Sequence, residues 1–212
     1  MSWSRKSRGS ERRGYHHGNL REALIKAALD LIATKGPAGF TFAEAARSAG
    51  VSAAAPYRHF RDRDALMADI ARRGYERFEA ELLNAWNDGL PDPVTAFHNV
   101  GRAYLNFART EPAYYAAMFE SGLPPDLDPE LEQAGSRAFT VLRRASESVC
   151  GKLPEAKRPP AMMMALHVWS LCHGTASLFA RGDAARRKLP MTPEELLEAA
   201  ILVYLRGLGY GD

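Results

Sequence analysis

The stretch TFAEAARSAGVSAAAPYRHFRDRDAL, residues 41–66, decides the fold. Thr41 reads as the N-cap of a short helix, and Glu44 three residues later closes a capping box. That helix carries Phe42, Ala45 and Ala46 and ends near Gly50, a residue suited to a left-handed turn. Ser52 is placed to cap a third helix over 53–60, and Asp62 to cap a long fourth one over 63–86. Two short helices joined by a tight turn containing Gly form a helix-turn-helix, and Ala45, Ala46 and Ala49 are small enough for the pair to cross closely. A generic helical bundle also favours Ala and Gly. The basic Arg58, Arg61 and Arg63 tilt the reading toward a polyanionic partner.

Upstream, Leu20, Ala23, Leu24, Ala27, Ala28, Leu31 and Ile32 recur at helical spacing, with Asn19 as N-cap and Gly36-Pro37 as the stop. Before them, residues 1–16 hold Arg5, Lys6, Arg8, Arg12 and Arg13 without apolar periodicity and read as a flexible basic arm. The net charge of +3 is unevenly divided, with +7 on residues 1–63 and −4 on the remainder. A small basic module joined to a larger, mildly acidic body accounts for this.

Downstream, apolar periodicity predicts helices over 94–108, 112–119, 129–149, 161–180 and 193–208, the last opened by a Thr192–Glu195 capping box. Pro124, Pro125 and the 152–160 segment mark loops. The fold class is therefore all-α, with about nine helices and no strand. The expected organisation is a basic arm (1–16), a three-helix helix-turn-helix domain (17–63), and a larger helical domain (64–212).

Several classes are disfavoured. No apolar run reaches the length of a membrane span, and no apolar stretch follows the basic N-terminus, so a cytoplasmic location is expected. Cys150 and Cys172 lack the spacing of a metal or redox motif, and no cofactor or metal is expected. There is no phosphate-binding Gly-rich loop and no nucleophile elbow, so an enzyme is not expected. The competing non-enzymatic readings are a helical ligand-binding or scaffold protein whose basic arm meets acidic partners, and a ligand-independent DNA-binding protein.

The 41–66 stretch resembles the DNA-binding module of the TetR family of transcriptional regulators. The match lies in Thr41, Ala45-Ala46, Gly50-Val51-Ser52, Tyr57, His59-Phe60, Arg63 and Leu66. Ala45 stands where the family more often has a larger aliphatic residue, and Arg63 where it has Lys. GYHHGNLREALIKAAL (14–29) is similar to the N-terminal approach of one branch. HVWSLCHGTASLF (167–179) is similar to a branch whose C-terminal domain is marked by Trp followed by His-Gly, here Trp169, His173 and Gly174. The resemblance implies a homodimer on a palindromic duplex operator, acting as a repressor released by a small molecule. It also implies phosphate-positioning roles for Thr41, Tyr57, His59 and Arg63.

The residues support this chemically. Thr41 and Ser52 sit at helix starts, where free N–H groups favour phosphate. Tyr57 and His59 are hydrogen-bond donors, and Phe60 reads as core. The start of the third helix, Ala53-Ala54-Ala55 before Pro56, offers bases little but methyl groups, which leaves Ser52 and Arg58 as its polar readers.

In the larger domain, Tyr104, Phe107, Tyr115, Met118, Phe119, Met164, His167 and Trp169 are candidates to line a pocket for a small apolar or aromatic effector. Filling a core would use the same residue types. The resemblance places the dimer interface on the last two helices, with His173, Gly174 and Ser177 as candidates, and has the effector act by moving the fourth helix. A mid-helix Gly costs about 1 kcal/mol relative to Ala, which fits close packing against a partner there.

Overall fold

The computed structural model describes residues 20–180 and 189–211. Asn19, expected to cap the first helix, and the basic arm lie outside them. Among the described residues the fold is all-α, with eight α-helices: α1 (Leu20–Lys35), α2 (Phe42–Ser48), α3 (Arg63–Trp86), α4 (Pro93–Thr110), α5 (Pro112–Phe119), α6 (Pro129–Cys150), α7 (Ala161–Ala180) and α8 (Pro193–Gly207).

The ninth expected helix is shorter and tighter than expected. Where the sequence suggests a helix over 53–60, the backbone forms a 3-10 helix, Ala55–Arg58, and Ser52 does not cap it. Pro56 lies in its first turn, where a missing N–H has no partner to lose. The turn is held by backbone bonds from Ala55 N–H to the Ser52 carbonyl (3.0 Å) and from His59 N–H to the Pro56 carbonyl (2.9 Å).

Capping sets the other boundaries. Thr41 and Glu44 form the reciprocal capping box of α2, and Thr192 and Glu195 form that of α8. The Asp62 carboxylate accepts the Ala65 N–H at 2.8 Å and starts α3. Asp92 and Asp128 open α4 and α6 in the same way, each followed by Pro in the first turn. Gly50 turns the chain after α2 with φ of +73°, a conformation that a residue with a Cβ adopts at a cost.

One continuous core runs from Leu24 to Leu205. α3 is its axis: its N-terminal half packs beside α1, and its length lies against α4, α5 and α6. α7 and α8 pack on each other and on α4. Gly101 of α4 lets α8 approach so closely that a Cβ there would stand 3.1 Å from a Leu197 methyl.

Candidate nucleic-acid interface and effector cavity

The face formed by α2 and the 3-10 turn is presented by burying its other side. Phe42, Ala45 and Ala46 of α2 and Phe60 after the turn are core. Ser52, Ala53, Ala54, Tyr57, Arg58 and His59 are exposed, and Ala55 is half-buried. Tyr57 is 63% exposed and is held upright by an edge-on contact with Phe42, ring centroids 5.0 Å apart. Its hydroxyl therefore stands on the surface with the ring anchored. Thr41 is also exposed, but its hydroxyl is engaged: it accepts the Glu44 N–H at 3.2 Å and donates to the Glu44 carboxylate at 3.1 Å. Lys35, followed by the Thr41 backbone, holds that carboxyl down at about 2.

Arg63 is placed differently from the expectation of a free phosphate contact. Its Nε donates to the Phe40 carbonyl at 3.1 Å, one guanidinium NH2 donates to the Pro37 carbonyl, and the other reaches Asp64 at 3.1 Å. The guanidinium also lies 4.9 Å from the Phe40 ring centroid. Arg63 thus staples the α1–α2 loop to the start of α3, and the planar fork of Arg suits this task. The sequence pattern gave no sign of these carbonyl partners. Arg47, at the exposed end of α2, is a cation on this face that the sequence reading did not single out.

Behind this face, α1 and α3 are joined by charge. The Asp69 carboxylate, 8% exposed, accepts from Arg21 at 2.7 Å, Arg72 at 2.8 Å and Arg73 at 3.0 Å. Arg73 reaches on to Glu22 with two bonds, at 2.6 and 2.7 Å. Burial pushes the Asp69 carboxyl up, but Arg72 and Arg21 outweigh it and hold the group below its usual range.

Further along α3 the core opens into a cavity of about 430 Å³, within the range of small-molecule sites. Ala71, Tyr75, Phe78 and Leu82 of α3 form one wall. Leu131, Gly135, Ala138 and Leu142 of α6 form the wall opposite, with the same helical spacing. Of the residues expected to line it, Tyr104, Met118, Phe119 and Trp169 do so. Phe107 and Met164 are fully buried core outside the cavity, Phe107 against Phe78 and Met164 beside Cys150. His167 is exposed on the outer side of α7, 3.1 Å from the Tyr204 hydroxyl. Tyr115 stands one layer behind the wall, its ring against Phe119. The two walls on α3 and α6 were missed, although the inward stripe of α3 at spacings of four, three and four was readable as the face of a helix turned toward a ligand or a core.

His173 also departs from expectation. The sequence reading put it at the dimer interface, yet its Nδ1 lies 3.0 Å from the Tyr104 hydroxyl and 2.9 Å from that of Tyr115. Its ring faces inward. Gly174 and Ser177, by contrast, are exposed on the outer face of α7, and a Cβ at Gly174 would meet nothing within 4 Å.

An exposed helix-turn-helix face whose long following helix walls a cavity defines a helix-turn-helix protein with a cavity-bearing helical body. Residues 24–70 match the model of the bacterial regulatory proteins of the tetR family, and residues 97–204, about half of the chain, match the tetracyclin repressor-like C-terminal domain. The chain belongs to the TetR family and is a DNA-binding transcriptional regulator. A structure of a protein of unknown function from Rhodococcus sp. RHA1 is 30% identical, with 92% of this chain and 98% of that one covered and a TM-score of 0.76. PfmR, a TetR family transcriptional regulator from Thermus thermophilus, is 22% identical, with 87% and 98% covered and a TM-score of 0.68. The fatty acid degradation regulator FadR from Bacillus halodurans is 12% identical, with 92% and 94% covered and a TM-score of 0.65, a likeness of fold. No curated protein sequence matches the chain. Among the described residues no helix is long and apolar enough to cross a membrane.

Proposed function

We propose that this regulator is a cytoplasmic, homodimeric repressor that leaves a palindromic operator when a small, largely apolar effector fills the cavity. The observation that carries this reading is the dual role of α3. Its first residue, Arg63, is bonded to the loop before the helix-turn-helix, and Ala71, Tyr75, Phe78 and Leu82 on the same helix wall the cavity. An occupant that tilts α3 therefore tilts the reading face. Two such faces in a dimer must meet major grooves about 34–36 Å apart, so a small tilt removes the match. The effector shifts the equilibrium only by as much as it prefers the DNA-incompetent arrangement. The proposed division follows from this: a basic arm over 1–16, a reading domain over 17–63, and a regulatory and dimerisation domain over 64–212.

The dimer contact is assigned to the outer face of α7 and α8. Met163, Gly174, Ser177 and Leu178 share one side of α7, and Ala199, Leu202, Val203 and Arg206 one side of α8. Val203 is 72% exposed, and an apolar stripe of this kind favours a second copy. The test is selection of bound duplexes followed by gel shift with candidate effectors. Enrichment of an inverted repeat, with release on effector binding, supports the proposal. A non-palindromic preference, or a complex that no cavity ligand releases, refutes it.

A further inference from the structure

From the polar group set into the cavity wall we infer that the effector is an uncharged molecule, apolar over most of its surface, whose carbonyl-type oxygen accepts a hydrogen bond from the Tyr104 hydroxyl. This deepens the effector reading above and rests on it.

Two phenol hydroxyls, of Tyr104 and Tyr115, converge on the single Nδ1 of His173 at 3.0 and 2.9 Å. If Nδ1 is unprotonated, its one lone pair satisfies one phenol and leaves the other with a proton to place. If Nδ1 carries the proton, the nitrogen donates and both phenols keep theirs. Under either tautomer at least one phenol proton is not taken by the imidazole. Tyr104 lines the cavity and Tyr115 does not, so Tyr104 is the phenol that can offer its proton inward. Trp169, also in the wall, packs beside the imidazole, ring centroids 6.0 Å apart. The single Nδ1 thus cannot take both phenol protons, and the phenol that lines the cavity is Tyr104.

Electrostatics then separates acceptor classes. Among the described residues lining the cavity there is no Lys, Arg or His, and the one carboxylate, Glu132, is exposed at its edge. Burial pushes His173 below its usual range, against the opposing pull of the Glu120 carboxylate. A carboxylate ligand would leave water without a counter-charge and face Glu132 at the entrance, a costly transfer. A ketone, ester or quinone oxygen meets the donor without that cost. A pure hydrocarbon fills the space but offers the Tyr104 hydroxyl no acceptor.

The experiment is calorimetric titration of the full-length protein with two matched series. One is acetylnaphthalene, naphthoate and isopropenylnaphthalene; the other is undecanone, undecanoate and undecene. The ketones are expected to bind about tenfold or more tightly than the carboxylates, and about three- to tenfold more tightly than the alkenes, the worth of one net hydrogen bond. Tyr104→Phe should bring each ketone to the affinity of its alkene and leave the alkenes unchanged. Tyr115→Phe, which frees Nδ1 to take the Tyr104 proton, should reduce the ketone preference without removing the Tyr104 ring. A thermal melt of each variant establishes that it is folded. Tightest binding by the carboxylates, or an unchanged ketone preference in folded Tyr104→Phe, overturns the inference and leaves the effector reading standing. If no member of either series binds, both fall together.

Discussion

Gly74 of α3 lies directly under Met118 of α5: a methyl group at position 74 would stand 2.7 Å from the Met118 sulfur and 3.0 Å from its Cγ. Met118 is also part of the cavity wall, so Gly74 makes room for one of the groups an effector touches. In Gly74→Ala the flexible thioether must swing away, and the space open to it is the cavity. The substitution gains about 1 kcal/mol of helix propensity, offset by the cost of moving Met118. The melting temperature should therefore stay within about 4 °C of the parent, while affinity for the tightest ketone of the matched series falls about tenfold. Calorimetry and a thermal melt measure the two effects separately. Unchanged ketone affinity would mean that Met118 relaxes elsewhere.

Arg63 and Arg58 should part company in DNA binding. Arg63 is bonded to the carbonyls of residues 37 and 40, whereas Arg58 is exposed on the reading face. Arg63→Ala is expected to cost about 1–3 kcal/mol of stability by releasing the loop, with DNA affinity falling alike for all sequences and the salt slope falling by less than one unit. Arg58→Ala should leave the melt unchanged, lower the salt slope by about one, and relax sequence preference. A normal melt for Arg63→Ala with a salt slope lowered by a full unit would return Arg63 to the phosphate contacts.

How much of the molecule was legible in the sequence follows the range of each signal. Capping boxes at Thr41 and Thr192 and the helical periods were legible because they are local: a donor, an acceptor and a spacing lie within one turn. The short, irregular turn at Ala55–Arg58 was less so, since Pro56 reads equally well as the first turn of a helix. What the sequence could not supply was direction across the fold. His173, Gly174 and Ser177 lie within one and a half turns of α7, yet the first faces the Tyr104–Tyr115 pair and the other two face outward. Phe107, Met164 and His167 fit a pocket by residue type, and only packing sends two of them to the core and the third to the surface.

Asp69 should make the α1–α3 joint sensitive to acid. Its carboxyl is held below the usual carboxylate range, so the folded state binds its proton less readily than the unfolded chain. Its contribution is fully present above the unfolded value of about 3.9 and is lost as pH falls through the lower folded value. Asp69→Asn removes the charge on which Arg21, Arg72 and Arg73 converge. Because those guanidiniums are partly exposed, the cost is set at about 2 kcal/mol rather than at the full cost of a buried pair. That corresponds to a fall of about 4–8 °C in melting temperature at pH 7. The gap between parent and variant should narrow below about pH 4, as the parent carboxyl takes up its proton. A gap of constant size down to pH 2 would mean that the joint is held by packing alone.

Gly174 offers a clean test of the assembly, because the space beside it is open within one subunit. A Cβ there meets no heavy atom within 4 Å and the position is exposed, so Gly174→Glu should fold as the parent does. In the proposed dimer the same position lies where α7 meets its mate, and a carboxylate would be forced into a face that carries Ser177 and Leu178. The parent should scatter light as a particle of twice 23.4 kDa, and Gly174→Glu as one of 23.4 kDa. Helicity and cavity ligand affinity should be retained, since neither depends on that face. Operator affinity should fall by about 100-fold or more, because each half-site is then bound without the effective concentration that the partner provides. Val203→Asp, on the neighbouring helix, should behave in the same way. A Gly174→Glu protein that stays dimeric would move the interface off this face of α7, and a parent of 23.4 kDa at micromolar concentration would remove the dimer altogether.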